Sequence, residues 1–233
     1  MWREPNRGVV MISGFDEAIA VYHNGATFSS CNTVSGPFFD FPVPLEGNDD
    51  VMRIAANLFA AGGETTARLM STSFRILGDR PDLQQVLREE PDTIPAFIEE
   101  AVRLESPIKG EFRLSRVPVT VGDVDLPAGT TVFVMNGAAN RDPRQFDDPH
   151  KFRLDRVNGR QHVGFDHGIH SCAGAPLACA ETRITIERFL DRTGDITISE
   201  AAHGPADARR YEYDPTYMLR GLEELHLEFT PID

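Results

Sequence analysis

At 233 residues the chain is long enough for one or two domains with a real core, and its 41% hydrophobic content is that of a globular protein. A formal net charge of −13 argues against nucleic acid and against an anionic membrane surface as partners. No run of about eighteen apolar residues occurs, no basic segment followed by an apolar stretch opens the chain, and Cys31, Cys172 and Cys179 form no disulfide framework, so a cytoplasmic location off the membrane is expected.

Gly8 to Ser13 contains an apolar, strand-like run, and Phe15 to Tyr22 has helical spacing. Residues 25 to 49 are rich in turn formers and aromatics and read as a loop. Asn48-Asp49-Asp50 is a good helix start, and Val51 to Leu77 reads as one long helix. Inside it lies Ala61-Gly62-Gly63-Glu64-Thr65-Thr66. Two glycines in mid-helix cost about 1 kcal/mol each relative to alanine, so a purely structural helix has reason to avoid them. A hydroxyl such as that of Thr65, bonded back to the helix, would open the local ladder. The other reading is a solvated Glu64 with glycines that relieve a helix crossing.

Asp79-Arg80-Pro81-Asp82 opens a short amphipathic helix through Leu87, and Thr93 to Glu105 reads as another, with Thr93 as its N-cap. Glu100 and Arg103 stand at i, i+3 on that helix and can pair. Ser106-Pro107 ends it. Phe112 to Arg116, Val117 to Val121 and Thr130 to Val134 alternate as strands, with a turn at Gly122-Asp123. A short helix is expected over 136–141 and an irregular stretch over 142–160. Ala173 to Arg192 reads as a buried helix on the spacing of Leu177, Ile184, Ile186 and Leu190, followed by strands near 196–198 and 225–229.

The most informative stretch is Phe165-x-x-Gly168-x-His170-x-Cys172-x-Gly174-x-x-Leu177-Ala178. Gly168 and Gly174 bracket Cys172 and allow a sharp turn and close backbone approach to a flat ligand. A cysteine just before a helix N-terminus is favoured as a thiolate, the form that ligates iron. A zinc site built from His167, His170 and Cys172 competes, but no second Cys/His pair at zinc spacing supports it.

This pattern resembles the haem-binding signature of the cytochrome P450 family. The Gly62-Gly63-Glu64-Thr65 segment resembles that family's oxygen-activating helix, Glu100-x-x-Arg103 its structural charge pair, and Phe146 to Phe152 its meander motif. The resemblance implies a mainly α fold with small β-sheets, divided here into an N-terminal strand, helix and loop segment (1–49) and a haem-binding core (50–233). It implies haem b, with Cys172 as the axial iron ligand and Gly62 over the distal face. Arg113, with Arg116 as the alternative on the same strand, His162 and His170 would be propionate neighbours, and Phe165, Gly168 and Gly174 would shape the loop. Glu64 and Thr65 would relay protons. Arg156 is expected to partner Glu100, because Lys151 cannot copy a two-pronged guanidinium contact. Many relatives have glycine where Asp166 stands, so this aspartate either adds a negative charge near the proximal face or faces solvent.

Family members normally carry a large helical block between the N-terminal segment and the central helix. This chain lacks it, so an internally truncated fold is expected. The implied function is monooxygenation of a small apolar organic substrate by O2, with electrons from a ferredoxin or flavodoxin; the alternative is an inert remnant or a haem-binding protein without that activity. Phe38, Phe39, Phe41, Ile108, Tyr217 and Met218 are the pocket candidates. Lys109 either faces solvent or marks an anionic substrate.

Overall fold

A computed structural model describes residues 1–5, 8–30 and 49–232. The expectations for Cys31, Phe38, Phe39, Phe41 and Asn48 lie outside the described residues. The chain is mainly helical with small sheets, and it forms two compact units that interleave in sequence. The first comprises Met1–Ala61, Ile108–Lys151 and His162–Ala173; the second comprises Gly62–Pro107, Phe152–Gln161 and Gly174–Asp233. The N-terminal segment 1–49 thus groups with later stretches of the chain.

The first unit is built on a five-stranded sheet of order β1-β2-β7-β4-β3. Its strands are β1 (Trp2–Arg3), β2 (Val10–Ile12), β3 (Phe28–Ser29), β4 (Glu111–Ser115) and β7 (Thr131–Val134). β2 runs parallel to β7 with Val10 opposite Val132, and β4 runs antiparallel to β7 with Arg113 opposite Val132. A separate hairpin joins β5 (Val119–Val121) to β6 (Val124–Leu126) through Gly122, whose φ of 53° suits a tight turn. Helix α1 (Phe15–His23) buries Phe15, Ala18, Val21 and Tyr22, one face at helical spacing, against Val10, Ile12, Val132 and Val134 of the sheet. Each large side chain buried there is worth roughly 1.5–3 kcal/mol.

Gly14 precedes α1 and has no side chain to cap it. Asp142 does so from far along the chain, accepting the Phe15 N–H at 2.9 Å. Hydrogen bonds from Arg144, with those from the Phe15 and Arg144 backbone, hold the Asp142 carboxyl down at about 2. The short helix α5 (Asn136–Ala139) follows β7.

The second unit contains the C-terminal part of α2 (Asp49–Asp79) with α3 (Pro81–Glu89), α4 (Ile94–Glu105), α6 (Ala175–Arg192), α7 (Glu200–His203) and the β8 (Thr193–Ile198)/β9 (Leu227–Pro231) ribbon. Gln84 stitches α3 to the end of α2 and to β8: its amide donates to the carbonyls of Leu77 and Ile196 at 2.7 Å each and accepts the Ile196 N–H at 3.0 Å. A buried glutamine with its amide bonded this way contributes specificity at little cost. The first turns of α2 differ in character: Val51, Met52, Ile54, Leu58 and Phe59 are all exposed. Among the described residues no helix is long and apolar enough to cross a membrane.

Two local expectations are corrected. Thr93 occupies the N-cap position of α4 but does not cap it, because its hydroxyl donates to the Glu90 carbonyl at 2.7 Å in the preceding turn. In α6 the buried stripe is Thr182, Ile186 and Leu190, spaced i, i+4, i+8. Leu177 and Ile184, one heptad apart, share a different face, and they are 63% and 49% exposed.

Candidate functional site

The loop 162–173 is closed by its own backbone. Asp166 N–H donates to the Val163 carbonyl at 3.1 Å, Ser171 N–H to Gly168 at 3.1 Å and Cys172 N–H to Phe165 at 2.9 Å. Asn140 anchors its start by accepting the Val163 N–H at 2.7 Å, and His162 is buried, its Nδ1 accepting the Gly164 N–H. The Phe165 ring packs on His162 with centroids 5.7 Å apart. Gly168 has φ of 72°, and a Cβ there would overlap the Tyr22 carbonyl oxygen, so only glycine fits. Gly174 behaves otherwise. With φ −84° and ψ −5° it sits in ordinary helical geometry ahead of α6, so of the two glycines only Gly168 has the left-handed backbone.

These bonds leave Cys172 with a free, exposed thiol and His170 with an exposed ring. Beneath them the same unit holds a buried charge cluster. Arg113 on β4 is 3% exposed; its Nη2 donates to Asp166 at 3.2 Å and its Nη1 lies 3.6 Å from Glu111. Asn136 of α5 donates to the other Asp166 oxygen at 3.2 Å and accepts the Tyr22 hydroxyl at 2.5 Å. The guanidinium also stacks over the Tyr22 ring at 5.3 Å. Burial, with the neighbouring Asp166 charge, pushes Glu111 up to about 7; burial raises Asp166 too, against the pull of Arg113. Asp166 therefore faces the interior. Arg113, expected as a propionate neighbour, shares its charge with two carboxylates.

In the second unit, Glu100 and Arg103 of α4 are 1% and 0% exposed. Arg103 grips the carboxylate in a fork of 2.7 and 2.8 Å, Arg156 Nε donates at 3.0 Å, and the Arg153 backbone N–H adds a bond of 3.0 Å. Lys151 instead pairs with Asp148 on the surface. On α2, Glu64 is exposed and bonded to Arg68, which also forms an ion pair with Asp214 at 2.7 Å; Thr65 is half-buried. A Cβ on Gly62 or Gly63 would meet nothing within 4 Å among the described residues. Ile108 and Met218 are half-buried and Tyr217 is exposed.

Sequence reasoning missed the partners of Asp166 and the Arg68–Asp214 tie. Tyr22, Glu111, Asn136 and Asp166 come from four separate segments, so no local spacing announces them. The one available signal was a charged residue in place of a turn glycine. His167, His170 and Cys172 form no metal-holding cluster among the described residues, so the zinc reading gains no support. A haem fits the loop's donor chemistry: the Cys172 N–H is bonded within the loop, its sulfur is exposed, and the Gly168 turn exposes main chain beside it.

The model of the family described as Cytochrome P450 matches residues 47–193. Cytochrome P450 144 of Mycobacterium tuberculosis is 42% identical over 170 residues, 73% of this chain and 37% of that protein. Beta-dihydromenaquinone-9 omega-hydroxylase of Mycobacterium bovis is 39% identical over 184 residues, 79% of this chain and 36% of its own length. The chain therefore spans little more than a third of these curated relatives. The solved substrate-free cytochrome P450 CYP150A6 of Mycobacterium marinum is similar over 100% of this chain and 93% of that one, at 34% identity and a TM-score of 0.89. A solved chain of nearly the same extent thus has this fold. With more than half of its length matched by the family model and its whole length superposed on a solved relative, the chain belongs to the cytochrome P450 family.

Proposed function

We propose that the chain is the haem-binding part of a monooxygenase, with Cys172 as the thiolate ligand. The observation that carries this reading is the exposed Cys172 thiol on a loop closed by the backbone bonds Asp166 to Val163, Ser171 to Gly168 and Cys172 to Phe165. When bound through that thiolate, haem b supplies the redox chemistry by which O2, two electrons from a ferredoxin or flavodoxin and two protons give one oxidised organic product and water. The protein's share is ligation, positioning and proton supply. Cys172 donates the sulfur, Gly168 lets the backbone turn beside it, and Phe165, His162 and His170 flank it.

Glu64 is assigned the carriage of protons at its carboxylate and Thr65 their transfer through its hydroxyl. Arg68 keeps the Glu64 carboxylate from wandering along the helix surface. Arg113, Gly174 and Gly62 complete the cofactor-binding set by resemblance, and Glu100, Arg103 and Arg156 form the structural charge group. An apolar substrate is proposed by resemblance, in keeping with the beta-dihydromenaquinone-9 in the name of the Mycobacterium bovis relative.

A second reading is favoured by one observation. The first turns of α2 leave five large apolar side chains, Val51, Met52, Ile54, Leu58 and Phe59, exposed. In that reading the chain is an inert remnant, or binds haem without turnover. The reduced, CO-bound spectrum of the purified chain separates the two. A Soret band of the thiolate type, lost in Cys172→Ala, supports the haem-thiolate site; failure to retain haem overturns it. Product formation with a reductase and ferredoxin then distinguishes a monooxygenase from a haem-binding remnant.

A further inference from the structure

Asp166 stands where a turn would accept glycine, and it adopts φ of 58° without being one. Its carboxylate is pinned from two elements, Arg113 of β4 at one oxygen and Asn136 of α5 at the other, and Asn136 is itself fixed by the hydroxyl that Tyr22 of α1 donates to it. The peptide unit that joins Phe165 to Asp166 carries the Phe165 carbonyl, and that carbonyl accepts the Cys172 N–H at 2.9 Å. The path is therefore short: a buried side-chain hub sets the orientation of one peptide plane, and that plane holds the cysteine backbone.

We infer that Asp166 is a positioning residue for Cys172, transmitting the fixed geometry of Tyr22, Arg113 and Asn136 through the 165–166 peptide to the amide of the cysteine. Two bonds to one carboxylate, one of them from an amide that Tyr22 holds in turn, over-determine a backbone conformation that few residues adopt, which is how a strained turn persists. A solvent-facing aspartate at this place would leave the 165–166 peptide held only by its own backbone bonds, Asp166 N–H to Val163 and the Phe165 carbonyl to Cys172 N–H, and the second of these would open more often.

The inference rests on the reading of Cys172 as the haem ligand, and two readouts on the full chain keep the two apart. Asp166→Gly removes every side-chain contact while still accepting the left-handed backbone, and Arg113 retains Glu111 as a counter-charge, so the fold survives. Asp166→Asn keeps an acceptor for Arg113 and also tolerates φ of 58°. In the haem-free protein, hydrogen exchange at the Cys172 amide should quicken about tenfold or more in Asp166→Gly and by less in Asp166→Asn. In the haem-loaded protein, the reduced CO complex of Asp166→Gly should lose about half or more of its thiolate-type band, with Asp166→Asn intermediate.

Unchanged exchange in Asp166→Gly overturns the inference whatever the spectra show. Faster exchange with a full thiolate band overturns it too, because the cysteine would then be held by other means. Faster exchange in a protein whose unsubstituted form gives no thiolate band removes Cys172 as the ligand and leaves the positioning of the loop standing.

Discussion

The Glu100 group and the Cys172 loop are both clusters that a reader of the sequence would mark, yet they end in opposite states. Glu100 is surrounded by donors, with the Arg103 fork, Arg156 and the Arg153 backbone all satisfied inside the second unit. Cys172 is fixed through its backbone alone, and its sulfur is exposed. A group that has spent its bonding capacity within the protein holds structure. One whose support is all main-chain keeps its side chain for chemistry.

The sharpest way to break that contrast is to remove the carboxylate at Glu100. Two guanidiniums, on side chains 0% and 3% exposed, would lose their shared anion, and an uncompensated buried charge costs about 3–5 kcal/mol. Glu100→Ala should therefore lower the urea midpoint of the second unit severely or abolish folding. Glu100→Gln, which keeps the packing and one accepting oxygen while its NH2 faces a donor, should lose less than Glu100→Ala. A change below about 1 kcal/mol in Glu100→Ala would show that the group is not an anchor.

The second test uses pH, because the Cys172 loop rests on a cluster with the opposite electrostatic balance. Two carboxylates share Arg113, and burial raises Glu111 from its usual 4.5 to about 7. The folded chain thus binds more protons than the unfolded chain across that window. The resulting stability is fully present below it and is lost as pH rises toward 7, on the order of 3 kcal/mol at most. Asp166, also raised by burial, adds with the same sign. Asp142, held at about 2, acts oppositely and only at more acidic pH. Urea midpoints recorded from pH 5 to 7.5 should fall with rising pH, and Glu111→Gln should flatten the slope. An unchanged slope in that variant would remove Glu111 as its source.

Legibility in the sequence follows the same division. Glu100 and Arg103 are three residues apart on one helix, so their pairing follows from helical spacing, and guanidinium geometry favours Arg156 over Lys151. The strands at 10–12, 111–115 and 131–134 and the long helix 49–79 are legible from hydrophobic period and punctuation. The sense of Asp166 is not. Its partners lie up to 144 residues away in Tyr22, and nothing short of the sheet order β2-β7-β4 brings them together. In α6 the period itself was legible but not its phase: with apolar residues on two faces, only packing shows that Ile186 is inside and Ile184 outside.

A smaller effect sharpens the comparison within the loop. Gly168 is fixed by φ of 72° and by the Tyr22 carbonyl that a Cβ would strike. Gly168→Ala should cost about 1–3 kcal/mol, read as a urea midpoint shift in the first unit, because backbone cannot retreat as a flexible side chain can. Gly174→Ala, in helical geometry at φ −84°, should be close to neutral. Equal losses at the two glycines would contradict the asymmetry seen on either side of Cys172.

The smallest expected stability change falls on the residue with the largest expected chemical one. Cys172 is exposed and bonded through its amide, which alanine retains, so Cys172→Ala should leave the urea midpoint within about 0.5 kcal/mol of the parent. The same substitution should eliminate the thiolate-type band of the reduced CO complex completely. Glu100→Ala predicts the reverse order, with a loss of fold before any question of ligation arises. A destabilisation by Cys172→Ala of more than about 1 kcal/mol would mean that the sulfur packs against something in solution. It would then belong with Glu100 as a structural group, and the distinction between a spent cluster and an available one would fail at the residue it most needs to explain.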